Sequence, residues 1–277
     1  MPDGTLPYPK LGILAGGGDA PRQVVRACLE QGRPFFVFCL EGQADPEPAW
    51  EGPHTWLPLG AFGSLRDIIA REHIDEVVMI GRVRRPSLAE IKPDWQAFKA
   101  LASIRLHASG DDALLRSIGE TIERLCHVRV IGVQDVLGGL LLPPGLLGQW
   151  APDAQAKADI DRGRAVAEAL GAVDVGQAVV VQQGIVLGVE AAEGTDALIA
   201  RCKNLRRQGP GGVLVKMTKP QQDNRFDLPA LGPHTLMAAH EAGLRGIAAL
   251  AGRTLLINPS EVKAFADEHK IFLFGLN

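Results

Sequence analysis

The residues best suited to chemistry lie together in Lys216-Met217-Thr218-Lys219-Pro220-Gln221-Gln222-Asp223-Asn224-Arg225-Phe226-Asp227-Leu228-Pro229. Two carboxylates four residues apart, Asp223 and Asp227, are interleaved with the cations Lys216, Lys219 and Arg225. That set suits a phosphate held beside a divalent metal. Mg²⁺ takes one or two carboxylates and keeps several waters, while Lys and Arg neutralise phosphate oxygens. Surface ion pairs would use the same residue types and contribute little. They would not call for the flanking Pro220 and Pro229, which stiffen a loop. The loop is read as functional, with Asp227 and Asp223 as metal candidates and Gln222 beside them as a substrate contact.

Three further groups carry weaker signals. Gly16-Gly17-Gly18-Asp19-Ala20-Pro21 joins an apolar run to a helical pattern. Glycines there let a backbone approach a phosphate or a sugar, and a helix N-terminus favours an anion. Glu41 follows the next apolar run, where a dinucleotide-binding domain keeps its ribose acid. Gly81-Arg82-Val83-Arg84-Arg85-Pro86 follows a third run, and Arg82 and Arg85 suit bidentate phosphate contact. In Glu190-Ala191-Ala192-Glu193-Gly194-Thr195-Asp196, the polar residues Glu190, Glu193, Thr195 and Asp196 form a second candidate ligand wall. Thr195 equally suits a helix cap, and so do Asp111 and Asp112 after Gly110.

Other chemistries lack their residues. His240-Glu241 is followed by Ala-Gly-Leu, so no HExxH zinc motif forms, and GxSxG is missing. The glycine run is neither GxGxxG nor GxxxxGK[ST]. The four cysteines, Cys28, Cys39, Cys126 and Cys202, have no CxxC spacing, which excludes a zinc ribbon and a thioredoxin motif.

These groups need elements to hold them. Leu11–Ala15, Phe35–Leu40, Glu76–Ile80 and Val128–Val133 read as strands. Helical patterns alternate with them at about 21–31, 64–71, 93–106 and 110–126. This alternation predicts parallel βαβ units, a doubly wound, Rossmann-like domain over residues 1–133. Residues 134–150 are rich in Gly, Pro and Leu and read as a greasy linker, packed against protein or along an apolar ligand. Residues 151–277 read as a mixed α/β domain: a helix from Ala154, then a hairpin whose strands flank Gln183-Gly184. Strands near 213–217, 246–249, 254–257 and 271–274 complete it, with helices near 195–201, 233–242 and 260–269. The fold class is therefore α/β, two domains and a linker.

Composition narrows the partners. The chain has 277 residues, 46% hydrophobic and 5% aromatic, with a net charge of -3. There is core enough for two domains, no global basic field, and little with which to stack bases, so nucleic acid is not expected. The near-neutral total hides a local excess: residues 201–227 hold seven cations against Asp223 and Asp227. No signal-peptide pattern and no long apolar run occurs, so a cytoplasmic chain is expected. Peripheral contact with the cytoplasmic face of an inner membrane and a homodimer are both compatible with this composition.

Several segments in order resemble one family: LGILAGGGDAP, IGRVRRPSL, GDDALLRSI, DVGQAVVVQQGIVLGVEAAEGTDALIAR and VKMTKPQQDNRFDLPALGPHT. They resemble the LpxI family, the UDP-2,3-diacylglucosamine pyrophosphatases of lipid A biosynthesis, over nearly the whole chain. One departure is Ala20, where the family pattern has Leu. The resemblance implies Mg²⁺-dependent hydrolysis of UDP-2,3-diacylglucosamine to UMP and 2,3-diacylglucosamine 1-phosphate, lipid X. It implies a lipid substrate held between the two domains, attack at the phosphorus nearest uridine, and an essential Asp in the 223–227 loop, with Asp227 preferred. A nicotinamide-dependent oxidoreductase would use the glycines and Glu41 of the first domain but would not account for the Lys/Asp loop. A non-catalytic nucleotide-sugar sensor would use the same cleft without turnover.

Overall fold

The computed structural model describes residues 8–46, 49–84, 111–220, 223–226 and 228–277. The helical pattern expected at 93–106 lies outside the described residues. The chain divides into two compact units. The first takes residues 1–138 together with 223–227, and the second takes 139–222 and 228–277.

The first unit is built on a five-stranded sheet: β1 (Leu11–Ala15), β2 (Phe35–Leu40), β3 (His54–Leu57), β4 (Glu76–Ile80) and β5 (Arg129–Ile131). Its order is β3-β2-β1-β4-β5, and every pairing is parallel. β1 is buried at all five positions, as a central strand covered on both faces must be. The sequence does not announce β3. HTWL buries only Leu57, so neither alternation nor a continuous apolar run marks it. Helix α1 (Ala20–Gln31) buries Pro21, Val24, Val25 and Cys28, with Pro in its first turn and Gly32 as a left-handed cap. Helices α2 (Phe62–Arg71) and α3 (Asp111–Cys126) follow. The main core joins Phe36, Phe38, Leu65, Ile69, Val77, Ile122 and Val130. Phe226, from far along the chain, belongs to the same core.

Residues 134–150 do not run as a plain connector. They carry a short helix α4 (Gln134–Leu137), a 3₁₀ turn and strand β6 (Gly145–Leu147). β6 pairs antiparallel with β13 (Phe272–Leu276) at the edge of the second unit's sheet. That sheet contains β7 (Ala178–Gln182), β8 (Ile185–Val189), β9 (Val213–Lys216) and β11 (Gly246–Leu250) as well. Its order is β6-β13-β11-β9-β7-β8. β9, β11 and β13 are parallel, and β7 runs antiparallel to both neighbours, which makes the sheet mixed. Alternation along β7 sends Val179 and Val181 to helix α5 (Ala154–Ala172). Ala178 and Val180 face the opposite layer, built on α6 (Thr195–Cys202), α7 (Pro233–Glu241) and α8 (Pro259–Glu268). A two-stranded parallel ribbon, β10 (Ala230–Leu231) and β12 (Leu255–Leu256), completes the unit.

One buried carboxylate fixes the hairpin. Asp159 of α5 is 1% exposed and accepts the N–H groups of Gln183 (3.0 Å) and Gly184 (2.7 Å) at the β7–β8 turn. Asp159→Ala strands those two donors and is expected to destabilise the protein by about 2–3 kcal/mol, measured by urea unfolding. A loss within experimental error would mean that the turn holds itself.

Candidate functional site

In the first unit the chain runs outward from β1 through β2 to β3, then crosses back to β4 on the other side of β1, so the carboxyl ends of β1 and β4 form the switch point where open α/β sheets bind ligands. Two of the sequence-predicted groups meet there. Gly16 N–H donates to Ile80 O at 2.8 Å, and Gly17 and Arg82 exchange backbone hydrogen bonds of 2.9 and 2.8 Å. The approach requires glycine: a Cβ on Gly16 would lie 2.6 Å from Arg82 O. Gly18 N–H donates to Asp45 Oδ2 at 2.7 Å, and Arg84 N–H to Gln43 Oε1 at 2.8 Å. The segment after β2 therefore folds over the glycine loop. Arg22 strengthens the contact, donating to Asp45 O at 3.0 Å while lying over the Trp50 ring.

All three glycine N–H groups are thus engaged within the unit, Gly16 and Gly17 by backbone carbonyls and Gly18 by Asp45, not by the exposed Glu41. Glu41 is the first acid after the strand. Asp45 sits four residues later in the same loop, and only the fold of that loop selects it. Arg85 lies outside the described residues.

In the second unit, Glu190 leaves β8 at 6% exposure. Its carboxylate accepts Gln177 N–H at 3.1 Å and the Thr195 hydroxyl at 2.7 Å. Both residues thereby hold the hairpin end against the start of α6. The helix cap is Gly194 rather than Thr195. Glu193 accepts from Arg201 at 3.0 and 3.2 Å. Its own backbone N–H, first, and the Arg201 guanidinium hold its carboxyl below the usual range. Asp196 lies exposed in the first turn of α6.

Lys216 ends β9 and is buried, with Nζ donating to Ala230 O at 3.2 Å. Ala178 and Ala249 are its register partners on either side, and Glu190 N–H bonds Ala178 O. Directly paired residues share a face. Lys216 therefore rises between two alanines in the row that Glu190 continues, small neighbours that leave room for a buried ammonium. Lys219 pairs with Asp174 at 2.6 Å.

Asp223 and Arg225 belong to the first unit, whereas Lys216 and Lys219 belong to the second. Asp223 Oδ1 accepts Arg225 N–H at 3.0 Å, and Oδ2 accepts Arg225 Nη2 at 2.9 Å. The Arg225 guanidinium holds the Asp223 carboxyl below its ordinary value, and that pairing raises Arg225 in turn. Arg225 also faces Glu123 of α3 at 3.6 Å and lies over the Phe226 ring. Phe226 is 6% exposed and rests on Gly119 of α3, where even a methyl group would overlap the ring. Gln222 and Asp227 lie outside the described residues. Among the described residues no three His, Cys, Asp or Glu side chains gather as a metal site. The cysteines are all free and buried, and burial pushes the Cys28, Cys39 and Cys126 thiols up to about 11, unsuited to nucleophilic work.

Comparison with known proteins covers both units. Residues 10–140 match the family model for the LpxI N-terminal domain, and 143–274 match that for the LpxI C-terminal domain. The UDP-2,3-diacylglucosamine pyrophosphatase LpxI of Caulobacter vibrioides is 38% identical over 275 residues, covering 97% of this chain and 98% of that protein. Among solved structures, glycinamide-RNase-transformylase T from Mycobacterium tuberculosis aligns with 66% of this chain and 43% of its own. Its TM-score of 0.24 and 15% identity are too slight a likeness to bear on fold or function.

Proposed function

Because the chain belongs to the LpxI family, we propose that it hydrolyses the pyrophosphate of UDP-2,3-diacylglucosamine to UMP and 2,3-diacylglucosamine 1-phosphate in lipid A synthesis. The end-to-end likeness to the Caulobacter enzyme carries this reading. The local chemistry supports it, because a phosphoric anhydride needs cations to take up the charge that grows on its oxygens. Lys216, already desolvated at the end of β9, is the proposed first of these. Lys219 and Arg225 follow, each now held by an acid that an incoming phosphate would replace as partner. Glu190 and Thr195 keep the neighbouring strand end in place, with Glu193 and Asp196 beside them. Arg82 is the proposed polar contact in the first unit, and Gly16, Gly17 and Gly18, whose N–H groups are already bonded, are proposed to allow close approach of the backbone. With them we include Gln222 and Arg85, which lie outside the described residues.

Mg²⁺ is the proposed cofactor, and the donor chemistry fits. The ion prefers carboxylate oxygens, needs one or two of them, and keeps its waters. Asp227 is the proposed principal holder, since both Asp223 oxygens are engaged by Arg225, and Asp223 is the second. When bound, the ion would draw charge from a pyrophosphate oxygen and orient water. No helix among the described residues is long and apolar enough to cross a membrane. Reaching a substrate with two acyl chains is therefore proposed to involve peripheral contact with the cytoplasmic face of the inner membrane.

The test is UMP release from the dispersed lipid substrate. Activity is expected with Mg²⁺, a loss of about 100-fold or more in EDTA, and recovery when Mg²⁺ is returned. In heavy-oxygen water the label should appear in UMP, because the attack is at the phosphorus nearest uridine. Binding of NAD(H) without UMP formation would overturn the assignment.

A further inference from the structure

Between Asp196 and Asp223 the chain carries no acidic residue, yet it carries Arg201, Lys203, Arg206 and Arg207 within seven positions. Arg201 is committed to Glu193 and to Val189 O. The other three have no ion pair with a described carboxylate, and residues 203–210 are exposed throughout. Leu205 stands among them at 49% exposure.

An exposed loop of this composition would ordinarily be loose, and this one is pinned from beneath. Gln182, fully buried at the end of β7, donates from Nε2 to Arg207 O (3.0 Å) and Pro210 O (2.7 Å), and its Oε1 accepts Arg207 N–H at 2.9 Å. Gln183 Nε2 adds a bond to Gln208 O at 3.1 Å. A buried amide thus fixes the backbone at 207–210, while Lys203, Arg207 and the Leu205 side chain remain outside and Arg206, also exposed, lies over Gly243. Their rigid presentation spares the ordering cost that a flexible segment meets on binding.

We infer that this loop is the surface by which the protein docks on an anionic phospholipid bilayer. The cations would lie against headgroup phosphates, and Leu205 would enter the interface. The inference rests on the proposed function, because a substrate with two acyl chains resides in a membrane. Charge complementarity favours this occupant, and three cations are expected to be worth about 100-fold in partitioning to an anionic surface. Nucleic acid is the poorer match, for no aromatic residue lies between 201 and 212 to stack on a base.

The experiment is sedimentation with vesicles of phosphatidylcholine alone or mixed with phosphatidylglycerol. The wild-type protein should sediment with the mixed vesicles, lose them in high salt, and ignore the neutral ones. The combined variant Lys203→Gln, Arg206→Gln, Arg207→Gln should lose about 100-fold in partitioning at an unchanged melting temperature, and Leu205→Ser should lose less. UMP release from detergent-dispersed substrate should be unchanged in both. Equal sedimentation with the two vesicle types, or a combined variant that still binds, would overturn the docking surface. So would binding to an oligonucleotide in preference to mixed vesicles. UMP release by a wild-type protein that ignores mixed vesicles removes the docking surface alone. Vesicle binding without UMP release removes the substrate reading alone.

Discussion

Asp227→Ala is expected to lower UMP release by about 1,000-fold or more, with the melting temperature close to that of the wild type. With Mg²⁺ as the proposed cofactor, loss of its proposed main carboxylate would remove both charge withdrawal and water orientation. Asp223→Ala should behave differently. Both Asp223 oxygens are already occupied by Arg225, whose guanidinium in turn faces Glu123 and covers Phe226. Removing Asp223 frees a cation and loosens a turn, so a smaller loss, about 10-fold to 50-fold, is expected from loop disorder. A Mg²⁺ titration separates the two, because the loop variant should still respond to the ion. If Asp223→Ala is dead and Asp227→Ala is active, the roles are exchanged.

Gly119→Ala is expected to expel Phe226 from its place in the first unit. The ring lies so close to Gly119 that a methyl group cannot be added without moving one of them. Overpacking of this kind costs about 1–3 kcal/mol, while Phe226→Ala, which empties the core position, costs about 3–5 kcal/mol. Phe226 is the member of the 223–226 segment that belongs to the first unit's core, so UMP release is expected to fall by about 10-fold or more in both variants. Phe226→Leu, which still fills the socket, should restore most of it. The discriminating measurement is the double variant. With the ring gone, Ala at 119 loses its three closest contacts, and the second substitution should add almost nothing to the first. Additive losses would mean that the two residues act apart.

Much of this architecture was legible in the sequence because it depends on local pattern. Strand β1 with its glycine turn, α1 opened by Pro21 and closed by Gly32, and the Gln183-Gly184 hairpin each carry their signal within a few residues. β3 escaped because its single buried residue leaves no period to read. The site was legible as residue types but not as partnerships. That Gly17 and Arg82 meet follows from strand order, which no spacing between residues 17 and 82 encodes. Asp45 was hidden because the sequence offers Glu41 first, and only the course of the loop decides between them. Glu190 looked like a ligand wall, whereas burial and two internal donors give it a holding role. Lys216–Pro229 is continuous in sequence, yet its members are shared between two units.

That sharing bears on modularity. The family models divide the chain near residue 141, as if two separable pieces had been joined. A gene cut there would leave the first piece without Phe226, a member of its own core, and with an apolar socket open over Gly119. The second piece would carry that phenylalanine with nothing of the first unit to receive it. Trading halves with unrelated proteins would leave the first piece short of a core residue and the second with a displaced phenylalanine. The two pieces are expected to be inherited together, to tolerate recombination poorly at their junction, and to drift in concert at positions 119 and 226.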